Sequence, residues 1–296
     1  MIAANSEHAS AFVRAWRFLK KPLHEKSMIF YRYWSATFPK TAVPIRLPFG
    51  AWWLARNDHV GLLVREGKFE RAEVGFVERF IRPGMNVLDI GAHHGFYTLL
   101  CSKRTGSQGQ VYAFEPSLRE RKALLRHVKL NRARNVSVAA LALGNQRGQA
   151  PLFIVEGKNT GCNSLRPTTE VGMLAPVPVE VSRLDDWMIE HNIKQVDFVK
   201  LDVEGGELAV LEGAAALLER RPRPVILAEV QDIRTLPWGY RAKEIINHLI
   251  RRRYKWFELL PDGSLQELDV RSDHFDGNYV AFPDEFDDPL KAFGRR

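Results

Sequence analysis

From residue 85 onward the chain keeps a rhythm that leaves few architectures open: short apolar runs alternate with longer segments of helical spacing. Met85–Ile90, set between Pro83-Gly84 and Gly91, predicts a buried strand, and Phe96 to Arg104 predicts a helix. Val111–Glu115 is a second strand. Leu118 to Arg132 is a second helix, with Leu118, Leu124, Leu125 and Val128 at helical spacing, and Val136–Leu143 is a third strand. Residues 144–183 break the rhythm with turn signals, short strands at Gln149–Val155 and Val177–Val181, and a polar loop, Gly157–Thr169. Alternation then resumes: helix Leu184–Asn192, strand Val196–Leu201, helix Glu207–Arg220, strand Val225–Val230, helix Arg241–Arg252, strand Tyr254–Leu260 and a last strand Asn278–Phe282. Such alternation predicts an α/β fold, a doubly wound and mostly parallel sheet with helices on both faces. Ligands on these sheets bind at the carboxyl ends of the strands, near the switch in strand order. The residues that end each strand are therefore the ones to examine.

Composition narrows the class. Among 296 residues, 45% are apolar and 26% charged, ordinary values for a globular protein. No apolar run approaches the roughly 20 residues of a membrane span, and the start lacks the pattern of a secretory signal. The only cysteines, Cys101 and Cys162, show no metal-ligand spacing, so a reducing, cytoplasmic setting is expected. The net charge is +8, but residues 1–48 hold eight Lys/Arg against two acids. We therefore divide the chain into a basic, aromatic-rich extension (1–50) and a main domain (51–296). The extension fits either a helical arm packed on the domain or a peripheral contact with an anionic membrane. The near-neutral remainder argues against nucleic acid as a partner.

The first strand runs into Asp89-Ile90-Gly91-Ala92-His93-His94-Gly95, a glycine turn that lets the backbone approach a ligand. The second ends in Phe114-Glu115-Pro116, with Glu115 20 positions beyond Gly95, a spacing at which an acid accepts hydrogen bonds from ribose hydroxyls. This pairing serves a nicotinamide dinucleotide or S-adenosylmethionine. The turn is G-x-x-x-G rather than the phosphate-binding G-x-G-x-x-G, which favours the phosphate-free cofactor. The fourth strand continues into Lys200-Leu201-Asp202-Val203-Glu204-Gly205-Gly206-Glu207, a cluster of carboxylates at the same edge. Clustered carboxylates bind hydroxyls, take protons or hold a metal. Glu207 reads as a helix cap and Asp202 as functional, and Glu229, ending the fifth strand, faces the same edge.

Asp89-Ile-Gly-Ala-His-His-Gly-Phe-Tyr-Thr98, Phe114-Glu-Pro116, Leu184-Asp185-Asp186, Asp197 to Glu207 and Val210-Leu-Glu-Gly-Ala214 together resemble the FkbM-like methyltransferases, over about residues 60–283. The resemblance implies a Rossmann-like, seven-stranded methyltransferase fold with an antiparallel last strand. It implies S-adenosyl-L-methionine as cofactor, held by Asp89, Gly91, Ala92, His93, Gly95, Thr98, Glu115 and Pro116. It also implies a methyl acceptor that is a hydroxyl oxygen of a sugar, glycan or secondary metabolite. His93 stands where the family often has Asn, with His94 beside it.

Asp202 is the expected general base, with His94 second, and transfer is expected to need no metal. Glu204, Glu229 and Asn163 are expected on the acceptor, with Asn159, Thr160 and Ser164 of the same polar loop suited to a polyhydroxylated substrate. The rival readings are a nicotinamide-dependent enzyme on nucleotide sugars, a methyltransferase acting on RNA or protein, and a non-catalytic cofactor-binding scaffold at a membrane.

Overall fold

The computed structural model describes residues 42–157, 161–167 and 172–294. Most of the expected basic extension, and Asn159 and Thr160, lie outside the described residues. The described chain forms two compact units, residues 42–45 with 54–69, and residues 46–53 with 70–294. It opens with β1 (Val43–Arg46) and β2 (Trp52–Ala55), a two-stranded ladder. In the smaller unit α1 (His59–Arg65) is capped by Asp58, whose carboxylate accepts the Gly61 N–H at 2.7 Å.

The larger unit carries the alternation. In chain order it contains α2 (Arg71–Phe80), β3 (Asn86–Ile90), α3 (Phe96–Thr105), β4 (Gln110–Phe114), α4 (Leu118–Leu130) and β5 (Val136–Ala139). Then come β6 (Ala142–Leu143), β7 (Gly148–Leu152), β8 (Val177–Ser182), α5 (Leu184–Glu190), β9 (Phe198–Leu201), α6 (Glu207–Gly213) and α7 (Ala215–Glu219). Last are β10 (Val225–Gln231), α8 (Asp232–Thr235), α9 (Lys243–Ile250), β11 (Tyr254–Leu259), β12 (Leu265–Glu267), β13 (Asp276–Pro283) and α10 (Pro289–Phe293).

The main sheet has the order β12-β11-β13-β10-β9-β3-β4-β5. β5, β4, β3, β9 and β10 are parallel neighbours, while β13 runs antiparallel to both β10 and β11. This is the expected doubly wound sheet with an antiparallel last strand, and β12 adds a short eighth strand to the expected seven. β3 is the switch point: β4 and β5 build to one side of it, β9 and β10 to the other.

Side chains alternate between the faces of a strand with period two, and the two faces are covered differently. On one face Leu88, Ile90, Phe114, Val199, Leu201, Ile226 and Ala228 join a core with residues of α5, α6, α7 and α9. On the other, Phe198 packs on Phe80 of α2 at 5.5 Å between ring centroids, and Phe76 packs on Phe282 at 6.1 Å. Lys200 has the parity of Phe198, so a lysine lies inside a central strand, 1% exposed.

Three predicted elements come out differently. The third strand is cut after Ala139: β5 is the sheet's edge, and Ala142–Leu143 leaves it to pair with β8 in a separate three-stranded sheet, β6-β8-β7. The helix expected over 207–220 is interrupted at Ala214, next to Gly213, where the Gly144 carbonyl packs in the place of a side chain. The stretch after β10, assigned no element from the sequence, forms short helices tied by Asp232, whose carboxylate accepts the N–H groups of Ala242 and Phe275 at 3.0 and 3.1 Å. No helix among the described residues is long and apolar enough to cross a membrane.

Candidate active site

The sheet register assembles the site. Ile90 lies opposite both Phe114 and Leu201, and Leu201 opposite Ala228. One residue further on, Gly91, Glu115, Asp202 and Glu229 therefore emerge side by side along the carboxyl edge, all with the parity of the Lys200 face.

The turn after β3 is built from the backbone. The N–H groups of Gly91 and Ala92 donate to the Phe114 carbonyl at 3.1 and 2.9 Å. Gly91 has φ +85°, and a Cβ there would sit 1.7 Å from the Asp202 carbonyl oxygen, so only glycine fits between the two strand ends. Gly95 starts α3 against Leu124, which packs with Ala92 and Ala113. Asp89 and Thr98, expected on the cofactor, instead hold each other: the Thr98 hydroxyl donates to Asp89 at 2.5 Å, and both are buried. The pair fastens strand to helix, and burial raises the Asp89 carboxyl to about 6.

Glu115 closes the next strand. Its two oxygens accept the N–H groups of His93 and Ser117, each at 2.8 Å. Burial, reinforced by the nearby Glu120, pushes its carboxyl up to about 8. Pro116 follows, its carbonyl accepting Arg121 Nη1 at 2.7 Å. His93 takes a left-handed backbone, φ +48°, and its ring stacks on His94 at 3.8 Å. His94 is buried, its carbonyl bonded to His127 Nδ1 at 2.7 Å, and the His127 ring stacks on Trp53 at 4.1 Å. His94 was expected as the second base. Its ring belongs to an aromatic stack with His93 and Trp53, and its ring nitrogens gather with His93 and Glu120, whereas Asp202 gathers with Glu204 and Glu229.

The second cluster lies on the other side of the switch point. Ligand atoms of Asp202, Glu204 and Glu229 lie within 4.8 Å of one another. Lys200 Nζ pairs with Asp202 at 3.0 Å and lies 5.3 Å from the centre of the Tyr97 ring. Burial alone would discharge Lys200, but Asp202 and Glu70 outweigh it and hold the ammonium charged. Glu70 accepts the Tyr97 hydroxyl at 2.5 Å, and burial raises its carboxyl to about 7. Arg234 pairs with Glu204 at 2.9 Å. Burial, with Asp202 and Glu204 nearby, pushes the Glu229 carboxyl well above the usual carboxylate range. Two cations, Lys200 and Arg234, therefore stand against the three carboxylates. Beside Glu229 in register stands Asn278, which donates to Glu73 at 3.1 Å. Glu229 Oε2 and Asn278 Oδ1 are both sealed from solvent with no hydrogen-bond partner among the described residues.

Glu207 shapes the loop that carries these acids. Its carboxylate accepts the N–H groups of Val203 and Gly205 at 3.0 and 3.2 Å, so it braces the turn before α6 rather than capping the helix as expected, and burial raises it to about 7. Gly205 has φ +98° with the Arg234 carbonyl where a Cβ would be, and its own carbonyl accepts the Tyr240 hydroxyl at 2.6 Å. The polar loop meets the same turn through Ser164, whose hydroxyl donates to the Glu204 carbonyl at 2.8 Å. Asn163, expected on the acceptor, gives its side-chain oxygen to the Val155 N–H at 2.9 Å and so braces its own loop.

Lys200, Glu70, Tyr97 and Asn278 had no role in the sequence reading. A lysine inside Phe198-Val199-Lys200-Leu201, a run otherwise apolar, was the available signal for the first. Glu70, Tyr97 and Asn278 come from distant elements and carry no local mark.

A parallel Rossmann-like sheet with a glycine turn, an acid on the second strand and a carboxylate cluster across the switch point defines a nucleoside-cofactor enzyme class. The family model described as the methyltransferase FkbM domain matches residues 89–256, more than half of the chain, and the chain belongs to that family. Methyltransferase 1 of Beauveria bassiana (strain ARSEF 2860) is 29% identical over 143 residues, 43% of this chain and 57% of that protein. Methyltransferase sdnD of Sordaria araneosa is 29% identical over 154 residues, 43% of this chain and 59% of that one. The chain thus spans less than two thirds of the length of these curated relatives. Among solved structures, methyltransferase FkbM from Methylobacillus flagellatus KT is similar with a TM-score of 0.42 at 18% identity, over 67% of this chain and 44% of that one. Aeropyrum pernix fibrillarin with natively bound S-adenosyl-L-methionine gives 0.40 at 15% identity, over 81% of each chain.

Proposed function

We propose that the chain moves a methyl group from S-adenosyl-L-methionine to a hydroxyl oxygen of a sugar, glycan or secondary metabolite. One observation carries the reading: the register sets a buried acid with no salt bridge among the described residues, Glu115, and a Lys200-held acid, Asp202, on opposite sides of the Gly91 turn. Glu115 fits a neutral diol. Its oxygens meet backbone donors and keep lone pairs for two hydroxyls, while burial disfavours a bare charge. The Gly91–Gly95 turn and Glu115 would hold the cofactor's nucleoside and methionine parts. S-adenosyl-L-methionine, when bound, supplies a methyl already activated on a positively charged sulfonium.

Asp202 receives the acceptor's proton. An attacking hydroxyl becomes strongly acidic as its oxygen takes on the methyl, so a carboxylate paired with Lys200 at 3.0 Å is base enough. Glu229, its proton held more tightly by burial, donates a hydrogen bond to a second acceptor oxygen, and Asn278 Oδ1 accepts one from a hydroxyl. Both atoms lack other partners among the described residues, and a polyol satisfies both. Glu204 stays with Arg234 and shapes the rim. The reading is tested by incubating the full chain with methyl-labelled donor and a panel of glycans, with mass spectrometry of the products. One added methyl on a hydroxyl oxygen is expected; label recovered only on nitrogen or carbon contradicts it.

The pH dependence of donor binding follows from Glu115. In the free protein its carboxyl titrates near 8, and hydroxyl donors favour the ionised form, so binding releases a proton. Affinity for S-adenosylhomocysteine should therefore rise up to about tenfold per pH unit below 8 and level off above it. Calorimetry in buffers of different ionisation enthalpy reads the released proton directly; a pH-independent affinity contradicts the assignment.

A further inference from the structure

The chain's near-neutral main domain hides a strong local asymmetry on α4. Residues 118–134 hold seven Lys/Arg against one acid, Glu120. Glu120 is fully buried and paired with Arg119 at 2.5 Å, and Arg121 turns inward to the carbonyls of Glu115 and Pro116. The other five, Lys122, Arg126, Lys129, Arg132 and Arg134, are exposed, and their side chains make no ion pair or hydrogen bond among the described residues.

Apolar side chains stand among them. Leu118, Lys122, Leu125 and Lys129 fall at i, i+4, i+7 and i+11, a single stripe along the helix, flanked by Arg126 and Leu130. Leu118 and Leu125 are 57% and 48% exposed, and Leu130 is 43% exposed. The opposite side of the same helix, Ala123, Leu124 and His127, is buried against the sheet and Trp53. The core therefore does not account for the outer leucines.

We propose that the outer face of α4 docks the protein on an anionic lipid surface, with Leu118, Leu125 and Leu130 entering the headgroup boundary and the exposed lysines and arginines meeting acidic headgroups. Charge complementarity selects an anionic partner, and leucines aligned with the lysines select a bilayer over nucleic acid. A phosphate backbone gains nothing from an aliphatic stripe, whereas interfacial helices combine basic and aliphatic side chains in this way. The helix begins three residues after Glu115, so the docked face adjoins the carboxyl edge of the sheet. Docking there brings the cofactor edge beside the lipid surface.

The test is flotation of the full chain with phosphatidylcholine vesicles, with and without phosphatidylglycerol. The probes are the unmodified protein, Lys122→Glu/Lys129→Glu and Leu125→Ser. Binding is expected only to the anionic vesicles. The double charge reversal should weaken it roughly tenfold or more, and Leu125→Ser should weaken it severalfold even at low salt. Unchanged S-adenosylhomocysteine affinity in both variants shows that they are folded. Vesicle binding that neither variant alters assigns docking to another part of the chain and overturns the proposal. So does the absence of vesicle binding, or tighter binding to duplex nucleic acid that Leu125→Ser leaves intact.

Discussion

Asp202→Asn should lower the methyl-transfer rate about 10²–10⁴-fold, the usual contribution of a positioned general base, with donor affinity little changed. The amide keeps an oxygen for Lys200, which lies 3.0 Å from the native carboxylate, so the turn after β9 retains its shape. What is lost is the ability to take a proton as the new oxygen–carbon bond forms. Single-turnover rates with saturating donor separate this from binding. A rate within about tenfold of the native enzyme would place the base elsewhere. The alanine variant is the poorer probe, because it leaves Lys200 buried without its nearest partner.

Lys200→Met should cost about 3–5 kcal/mol of folding stability near pH 8, the range for removing one member of a buried pair. Glu70 and Glu229 both feel the ammonium, and without it each binds its proton more tightly in the folded chain. The sign follows from proton counting. A carboxyl whose folded pKa lies above its unfolded value binds more protons when folded, so stability falls as pH rises from about 4.5 through the folded value. The loss should therefore be largest above neutrality and should shrink towards about pH 5, where the acids are protonated and need no counter-charge. Urea melts across that range read it. A deficit equal at both ends would mean that Lys200 acts through packing alone.

The ends of β4 and β9 were readable in the sequence because apolar runs there break abruptly into acids, Phe114 into Glu115 and Leu201 into Asp202, whereas Glu229, expected to end its strand, lies inside β10, which runs on to Gln231. Register then needs only the parallel pairing that the alternation already implies, and the three acids fall on one edge. Residue type and spacing do not reveal which partner a polar side chain chooses. Asp89 and Thr98 were assigned to a ligand and bind each other; Asn163 was assigned to the acceptor and braces its own loop. His94 was weighed by the pKa of imidazole, but its position is set by Trp53 and His127, more than thirty residues away on either side. Net charge hides arrangement for a similar reason: a near-neutral sum over the main domain conceals that residues 118–134 alone carry seven Lys/Arg against one acid.

Donor binding at Glu115 is the point on which the account turns, and titration calorimetry of S-adenosylhomocysteine into the native chain and Glu115→Ala tests it most directly. The native chain should bind, and the variant should lose roughly tenfold or more, the worth of hydrogen bonds to a charged acceptor. No binding by the native chain, or equal affinity in both, would contradict it.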